Sequence, residues 1–173
     1  MEFKEKRNHF FIQQMINDVA QKYLAGLFVE KWNKEAYGEW DNTKSSGQKL
    51  FNSELSRLSR NKSILSDYQN GDTSTWDCTT LFDALLYSKA IGHTLDPIMR
   101  KAVDELRLVR NAIAHNKSNG NLSDIEFQDL VAQIENSFEK LNFSLEKIND
   151  IKTERKSFDS FELYPSQIGR AHV

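Results

Sequence analysis

The chain has little of what builds strand-rich, disulfide-bonded or membrane-spanning proteins. Two prolines and seven glycines in 173 residues are too few for the many tight turns of a sandwich or barrel, so helices are expected. The single cysteine, Cys78, excludes an internal disulfide framework and a four-thiolate zinc site within one chain. No apolar run approaches the ~20 residues that cross a bilayer, so no membrane partner is expected.

The chain also lacks an excess of positive charge. It carries 23 Lys and Arg residues against 25 Asp and Glu residues, which gives a net charge of −2. Without a global positive field, any nucleic-acid binding has to be local. The opening MEFKEKRNHFF is basic but has no uninterrupted apolar segment, so no secretory signal is expected and a cytoplasmic location is predicted.

Helical periodicity is what the chain has in abundance. Apolar residues recur at three- and four-residue steps, which predicts a first amphipathic helix over roughly residues 5–34. Gly26 inside it indicates close packing or an early break. One or two short helices are predicted between residues 50 and 70, and another begins near Trp76, with Asp77 or Thr75 as its cap.

Two further helices have clear start signals. Asp96 and Pro97 suit the cap and first position of one helix, and Ser123 with Glu126 forms a capping-box pattern for a final helix of about 25 residues. The predicted fold class is all-α, an up-and-down bundle of about four to six helices with two long hairpins. Residues 1–150 are interpreted as one domain, and residues 151–173 as a polar tail, part of it an expression-vector remnant.

Polar side chains interrupt the helix that contains RNAIAH, residues 110–115. Asn111 and His115 are four residues apart and share a face, whereas Arg110 lies about 140° from His115 around the axis. An arginine side chain is long enough to span that angle near a helix end. The surrounding stretch is locally basic. Its candidate RNA-binding residues are Lys101, Arg107, Asn116 and Lys117.

These residue types suit phosphodiester chemistry on RNA. The guanidinium of Arg110 can donate paired hydrogen bonds to a phosphate and stabilise developing negative charge. The imidazole of His115 can exchange a proton with the ribose 2′-oxygen or the leaving 5′-oxygen. Asn111 can orient either group. Arg110, Asn111 and His115 are therefore the predicted catalytic residues.

Attack by the RNA's own 2′-hydroxyl needs no metal ion, and the four histidines of the chain are scattered. No metal site and no cofactor are therefore predicted. One histidine per chain is little for two proton transfers, so we expect a symmetric homodimer in which two copies of the helix meet and supply a second imidazole and guanidinium.

The motif resembles that of the HEPN (higher eukaryotes and prokaryotes nucleotide-binding) superfamily, in which an arginine, usually followed by asparagine, precedes a histidine by four to six residues. The flanking segments GDTSTWDCTTLFDALLYS and LSDIEF are similar to the branch named after the DAZ-interacting zinc-finger protein. The likeness covers residues 8–145 in pattern and residues 74–145 in specific motifs.

This resemblance implies a helical bundle that dimerises with its two motifs facing each other. Many members are metal-independent endoribonucleases of toxin, antiviral or RNA-processing systems, and the likeness carries phosphate stabilisation to Arg110, support to Asn111 and proton transfer to His115. Other members bind RNA, nucleotides or proteins without catalysis. The branch occurs as a module of larger animal proteins linked to ubiquitin ligation or innate immunity.

Three further interpretations stay open on the sequence. The chain could be a non-catalytic module that binds RNA or nucleotide, or that dimerises within a larger protein, and a bacterial toxin is a further possibility. In a purely structural interpretation Arg110 pairs with an acid and His115 lies at a helix C-terminus, where the dipole favours a cation. Trp76, Asp77 and Cys78 are interpreted as a core residue, a helix cap and a small buried residue.

Overall fold

The computed structural model describes residues 2–115 and 120–163, and all regular structure within these ranges is helical. The predicted all-α class is confirmed. The α-helices are α1 (Glu2–Gln14), α2 (Gln21–Lys34), α3 (Lys44–Glu54), α4 (Lys62–Asn70), α5 (Cys78–Tyr87), α6 (Pro97–Ala114), α7 (Asp124–Leu141) and α8 (Glu146–Leu163). A π-helical turn, Met15–Ala20, joins α1 to α2, and a 3₁₀ turn, Thr73–Thr75, precedes α5.

The helices are more numerous than predicted. With α1, the π turn and α2 counted as one rod, the described ranges contain seven helices, against the four to six expected. One reason is Asn142, which has a φ of 58° and ends α7 inside the predicted 25-residue helix. Asparagine tolerates this left-handed conformation at a helix end, and the apolar pattern alone did not reveal the break.

Helix α8 crosses the boundary that the sequence suggested at residue 150. Ile151 is buried, and Arg155 donates to Asn8 Oδ1 at 2.8 Å and to Asp124 Oδ1 at 2.9 Å. The sequence suggested a tail because α8 is mostly polar. Only a narrow face of the helix is buried, and part of that face is a paired arginine, so few apolar residues indicate a helix. Residues 164–173 of the expected tail lie outside the described ranges.

The helices form two sequential hairpins, α3 with α4 and α6 with α7. The second hairpin packs against α1, whereas α4 of the first packs against α5. Helix α5 lies between α2 and α6. All three tryptophans meet in one cluster, where the Trp40 ring lies 4.9 Å from Trp32 and 5.6 Å from Trp76 between ring centroids. Trp40 comes from the segment between α2 and α3, so this otherwise largely exposed segment contributes one large side chain to the core.

Helix α3 begins at Lys44, six residues before the predicted apolar pattern at Leu50. Gly47, in the first two turns of this helix, is a packing residue. A Cβ at Gly47 would lie 2.4 Å from the carbonyl oxygen of Tyr68, at the end of α4. Glycine is therefore required there because two backbones approach each other closely.

Gly26 is the opposite case. The sequence suggested close packing or a break at this position, yet α2 continues to Lys34 and a Cβ at Gly26 would meet no atom within 4 Å. Nothing in the fold uses the extra backbone freedom of this glycine, which costs helix stability.

We expect Gly26→Ala to raise the free energy of unfolding by about 0.5–1 kcal/mol, because alanine restricts the unfolded chain and fits the helix without contact. Gly47→Ala is the matched control, and it should lower stability by about 1–3 kcal/mol through overpacking. Urea unfolding followed by circular dichroism at 222 nm measures both. A decrease in the midpoint for Gly26→Ala would contradict the open surface described for this residue.

A buried ionic network holds α3, α4 and α5 together. Glu54 is fully buried and accepts hydrogen bonds from the backbone N–H of Lys89 and from Arg57 Nε at 2.9 Å. The two terminal nitrogens of Arg57 donate to the two Asp83 oxygens at 2.9 and 2.8 Å. The Tyr68 hydroxyl also donates to Asp83, and burial with this carboxylate raises the pKa of Tyr68 well above its usual value.

Candidate functional site

Helix α6 carries the predicted site and has a strong start. Asp96 Oδ1 accepts a hydrogen bond from the backbone N–H of Met99 at 2.8 Å, and Pro97 occupies the first turn, as predicted. Helical residues end at Ala114, and His115 is the C-terminal cap, its N–H donating to the carbonyl oxygen of Asn111 at 2.9 Å. The motif therefore occupies the last turn of the helix.

The structure places Arg110 and His115 on different sides of the end of α6. The Arg110 side chain is half-buried and lines a groove of about 100 Å³ with Gln13, Ile16, Asn17, Ile113 and Ala114, which we call the Arg110 groove. His115 is exposed, does not line this groove, and follows the half-buried Asn111 by one helical turn. Asn111 and His115 thus share a face as expected, while the guanidinium faces the first helical rod.

His115 belongs to an exposed stripe of α6. Lys101, Leu108 and His115 follow one another at seven-residue steps, so they lie on the same side of the helix. All three are exposed, as is Ala112 between them, and Leu108 exposes 50% of its surface. A half-exposed leucine in line with the imidazole gives this side of α6 an apolar centre.

The predicted RNA-binding residues differ in whether their side chains are exposed and unpaired enough to contact a phosphate. Lys101 is exposed. Arg107 donates to Asp104 Oδ1 at 2.8 Å, and this carboxylate raises the pKa of the guanidinium above its ordinary value. Arg107 must therefore exchange one carboxylate for a phosphate in order to bind RNA. Asn116 and Lys117 lie outside the described residues.

Two residues of α1 that the sequence did not single out contact the start of α7 and the end of α6. The buried Asn8 donates to the Leu122 carbonyl oxygen at 3.0 Å and to Asp124 at 2.9 Å. A ring nitrogen of His9 lies 3.4 Å from the Ile113 carbonyl oxygen, two residues before His115. The sequence gave only a weak indication that these two residues make long-range contacts, because they are simply two polar residues before an apolar helical stretch.

The π turn forms the wall of the site opposite α6. π-Helical turns are rare and often occur at functional sites, and nothing in the sequence pattern predicted this one. Its residue Ile16 lines the Arg110 groove and accepts a hydrogen bond from the Cys78 thiol at 3.4 Å through its carbonyl oxygen. The turn therefore joins the motif helix to the start of α5.

Cys78 is buried, as expected. Burial, with a smaller contribution from the carboxylates of Asp77 and Asp18, raises the pKa of the thiol to about 12, although Arg110 acts in the opposite direction. A thiol with this pKa is almost wholly protonated at neutral pH, and the thiolate is the reactive form. Cys78 is thus a structural residue and not a nucleophile.

We expect native Cys78 to resist alkylation by iodoacetamide at pH 8, because the raised pKa of the thiol and its burial suppress the reactive thiolate. The same protein in concentrated urea should react at the rate of a free cysteine. Mass spectrometry of quenched samples measures both rates. Equal rates in the two conditions would contradict the buried, protonated thiol.

The purely structural interpretation of the motif agrees with the position of His115 but not with that of Arg110. His115 does lie at the C-terminus of α6, where the helix dipole favours a cation. Arg110, however, has no carboxylate within salt-bridge distance among the residues that the structure describes. A half-buried guanidinium that lines a groove without an acidic partner is suited to an anionic ligand.

The described residues do not group His, Cys, Asp and Glu side chains in threes that could hold a metal ion. A search of the same residues for helices with the length and apolarity needed to cross a membrane found none.

Fold and site together define an all-α protein whose sixth helix ends with a groove-lining guanidinium and an exposed imidazole. No family model matches the chain, and no curated protein or solved structure matches it either. The function is therefore argued from the residues of the site.

Proposed function

We propose that the chain is a metal-independent endoribonuclease of the HEPN type that cleaves single-stranded RNA. The observation that carries the proposal is the position of Arg110, half-buried in a groove, without an acidic partner in the described ranges, on the helix whose last turn exposes His115. The resemblance of residues 74–145 to the HEPN superfamily supports the same function.

In the proposed reaction the ribose 2′-oxygen attacks the neighbouring phosphorus. The 2′-O–P bond forms, the P–5′-O bond breaks, and the products are a 2′,3′-cyclic phosphate and a 5′-hydroxyl. One imidazole accepts the 2′-hydroxyl proton and a protonated imidazole gives a proton to the 5′-oxygen. Arg110 binds the phosphate and stabilises its additional negative charge. Asn111 orients the phosphate or the imidazole.

A homodimer is part of this proposal, because one chain offers one exposed imidazole in its motif. The stripe of Lys101, Leu108, Ala112 and His115 supports a contact between two copies of α6. In an antiparallel crossing centred on Ala112, the two His115 backbones would lie roughly 9 Å apart along the axes, given a rise of 1.5 Å per residue. That spacing would bring two imidazoles into one cleft.

The test is incubation of purified protein with labelled single-stranded RNA in EDTA, followed by analysis of the product ends. The proposal expects 2′,3′-cyclic phosphate and 5′-hydroxyl ends. Products with 5′-phosphates, or a requirement for added divalent metal, would refute this mechanism. Tight RNA binding with no product would favour the second candidate.

That second candidate is a non-catalytic module that binds RNA or nucleotide, or that dimerises as part of a larger immune-related or ubiquitin-linked protein. The observation that favours it is the separation between the Arg110 groove and the exposed His115 within one chain. A module needs the groove and the apolar stripe but no proton transfer. Binding that survives His115→Ala and fails in Arg110→Ala would support it.

A further inference from the structure

A second cavity adjoins the Arg110 groove across the π turn. It has a volume of about 470 Å³, lies between the π turn and the start of α5, and shares Asn17 with the groove. Its rim carries the carboxylates of Asp18 and Asp77, and we call it the Asp18–Asp77 cavity. Its volume falls within the range of ~300–1,000 Å³ that is usual for small-molecule sites.

The wall of this cavity is fixed by internal hydrogen bonds. The side-chain amide of Gln21 donates to the Thr73 carbonyl oxygen at 3.0 Å and to the Trp76 carbonyl oxygen at 2.9 Å. Trp76 also lines the cavity, is 1% exposed, and has no acceptor for its indole N–H among the described residues. A buried donor without an acceptor is unusual in a folded protein and suits a ligand or water that carries one.

The charge of the rim limits what can bind. Asp18 and Asp77 are both exposed, and Lys22 is the cation among the residues that line the cavity. Two carboxylates against one ammonium repel a phosphate, and ionised carboxylates accept hydrogen bonds without donating them. The ligand should therefore be neutral there and rich in hydrogen-bond donors.

The Asp18–Asp77 cavity lies next to the phosphate-binding candidate, Arg110. Asn17 lines both cavities, and the thiol of Cys78, which lines this cavity, donates to the carbonyl oxygen of Ile16, which lines the Arg110 groove. A ligand that spans both cavities would place an anionic part at Arg110 and a neutral, donor-rich part at the acids. A nucleotide within an RNA strand has this arrangement.

We propose that the Asp18–Asp77 cavity is a base subsite that prefers guanine on the nucleotide whose 3′-phosphate binds at Arg110. Guanine presents two adjacent donors, N1–H and N2–H, to a carboxylate, whereas uracil presents one donor and no amino group. Recognition of splayed-out bases by their Watson–Crick edges is typical of single-stranded RNA binding. This inference rests on the proposed function, because it takes the Arg110 groove as the phosphate site.

The test is a titration of the full chain with guanosine 3′-monophosphate and uridine 3′-monophosphate, followed by calorimetry or NMR. The guanine nucleotide should bind roughly 10-fold more tightly or better, which corresponds to one good bidentate contact to a base. Asp18→Asn and Asp77→Asn should each reduce that preference to about twofold or less. Asparagine caps a helix as well as aspartate does, so Asp77→Asn retains the cap of α5.

Asp96→Asn is the matched control, since it makes the same change at the cap of α6, whose aspartate does not line the cavity. It should leave both affinities unchanged, and Arg110→Ala should weaken both nucleotides by a similar factor. Equal wild-type affinities for the two nucleotides would overturn the base subsite, as would a preference that both rim variants preserve.

The failure of this inference can be distinguished from the failure of the proposed function. Cleavage in EDTA that depends on His115 but shows no preference for guanine would remove the base subsite and leave the nuclease. A guanine preference that the rim variants abolish, in a protein that cleaves no RNA, would retain the subsite and refute the nuclease.

Discussion

Replacement of His115 by alanine should lower the rate of RNA cleavage in EDTA by about 10²–10⁴-fold, the usual contribution of a general acid–base group. The imidazole is exposed at the end of α6, so its removal leaves no cavity and should not change the fold. The measurement is the initial rate on a labelled single-stranded RNA, with circular dichroism and sedimentation velocity to confirm that folding and assembly are unchanged.

His93→Ala is the matched control, because it removes another exposed histidine, close to Glu35 in the segment before α6. It should cleave RNA at the wild-type rate. Arg110→Ala should lose about 10²–10³-fold, as expected when a donor to a developing anion is removed, and Arg110→Lys should recover part of that loss. Cleavage that persists in His115→Ala at the rate of His93→Ala would exclude the imidazole from proton transfer.

Replacement of Asp83 by alanine should lower the free energy of unfolding by about 3–5 kcal/mol, the usual cost of removing one partner from a buried ion pair. The variant removes the acceptor of the buried Tyr68 hydroxyl and one of the two carboxylates that pair with Arg57, which then keeps Glu54 alone. Because domains are stable by only about 5–15 kcal/mol, a change of this size should shift the urea midpoint strongly.

The control for this prediction is an exposed ion pair. Lys34 Nζ lies 3.1 Å from a Glu30 oxygen, and both side chains are more than half exposed. Glu30→Ala should change stability by about 0.5 kcal/mol or less, since exposed pairs contribute little. If Asp83→Ala cost no more than Glu30→Ala, the buried network would not hold α3, α4 and α5 together.

Local signals in the sequence predicted the N-terminal caps of α5, α6 and α7. Asp77, Asp96 and Ser123 each accept the hydrogen bond of a helix N-cap. The capping box of Ser123 and Glu126 is present in full. These predictions succeed because a cap depends on residues three or four positions apart, which are close in space whatever the rest of the chain does.

The candidate site was predictable only in part. The sequence identified Arg110, Asn111 and His115, and the 3.6-residue period correctly placed Asn111 and His115 on one face. It gave no indication that Arg110 lines a groove with Gln13 and Asn17 of the first rod, which lies about 95 positions earlier in the chain. The role of His9 near the end of α6 depends on the same long-range packing.

The sequence by itself determined the all-α class, the caps and the residue types in the last turn of α6, because these depend on composition and on short spacings. The tertiary structure alone decided that Gly47 is required and Gly26 is not, that Asn142 divides one predicted helix into two, and that α8 packs beyond residue 150. These outcomes depend on which backbones approach each other across the bundle, and that distance is set by packing rather than by local periodicity.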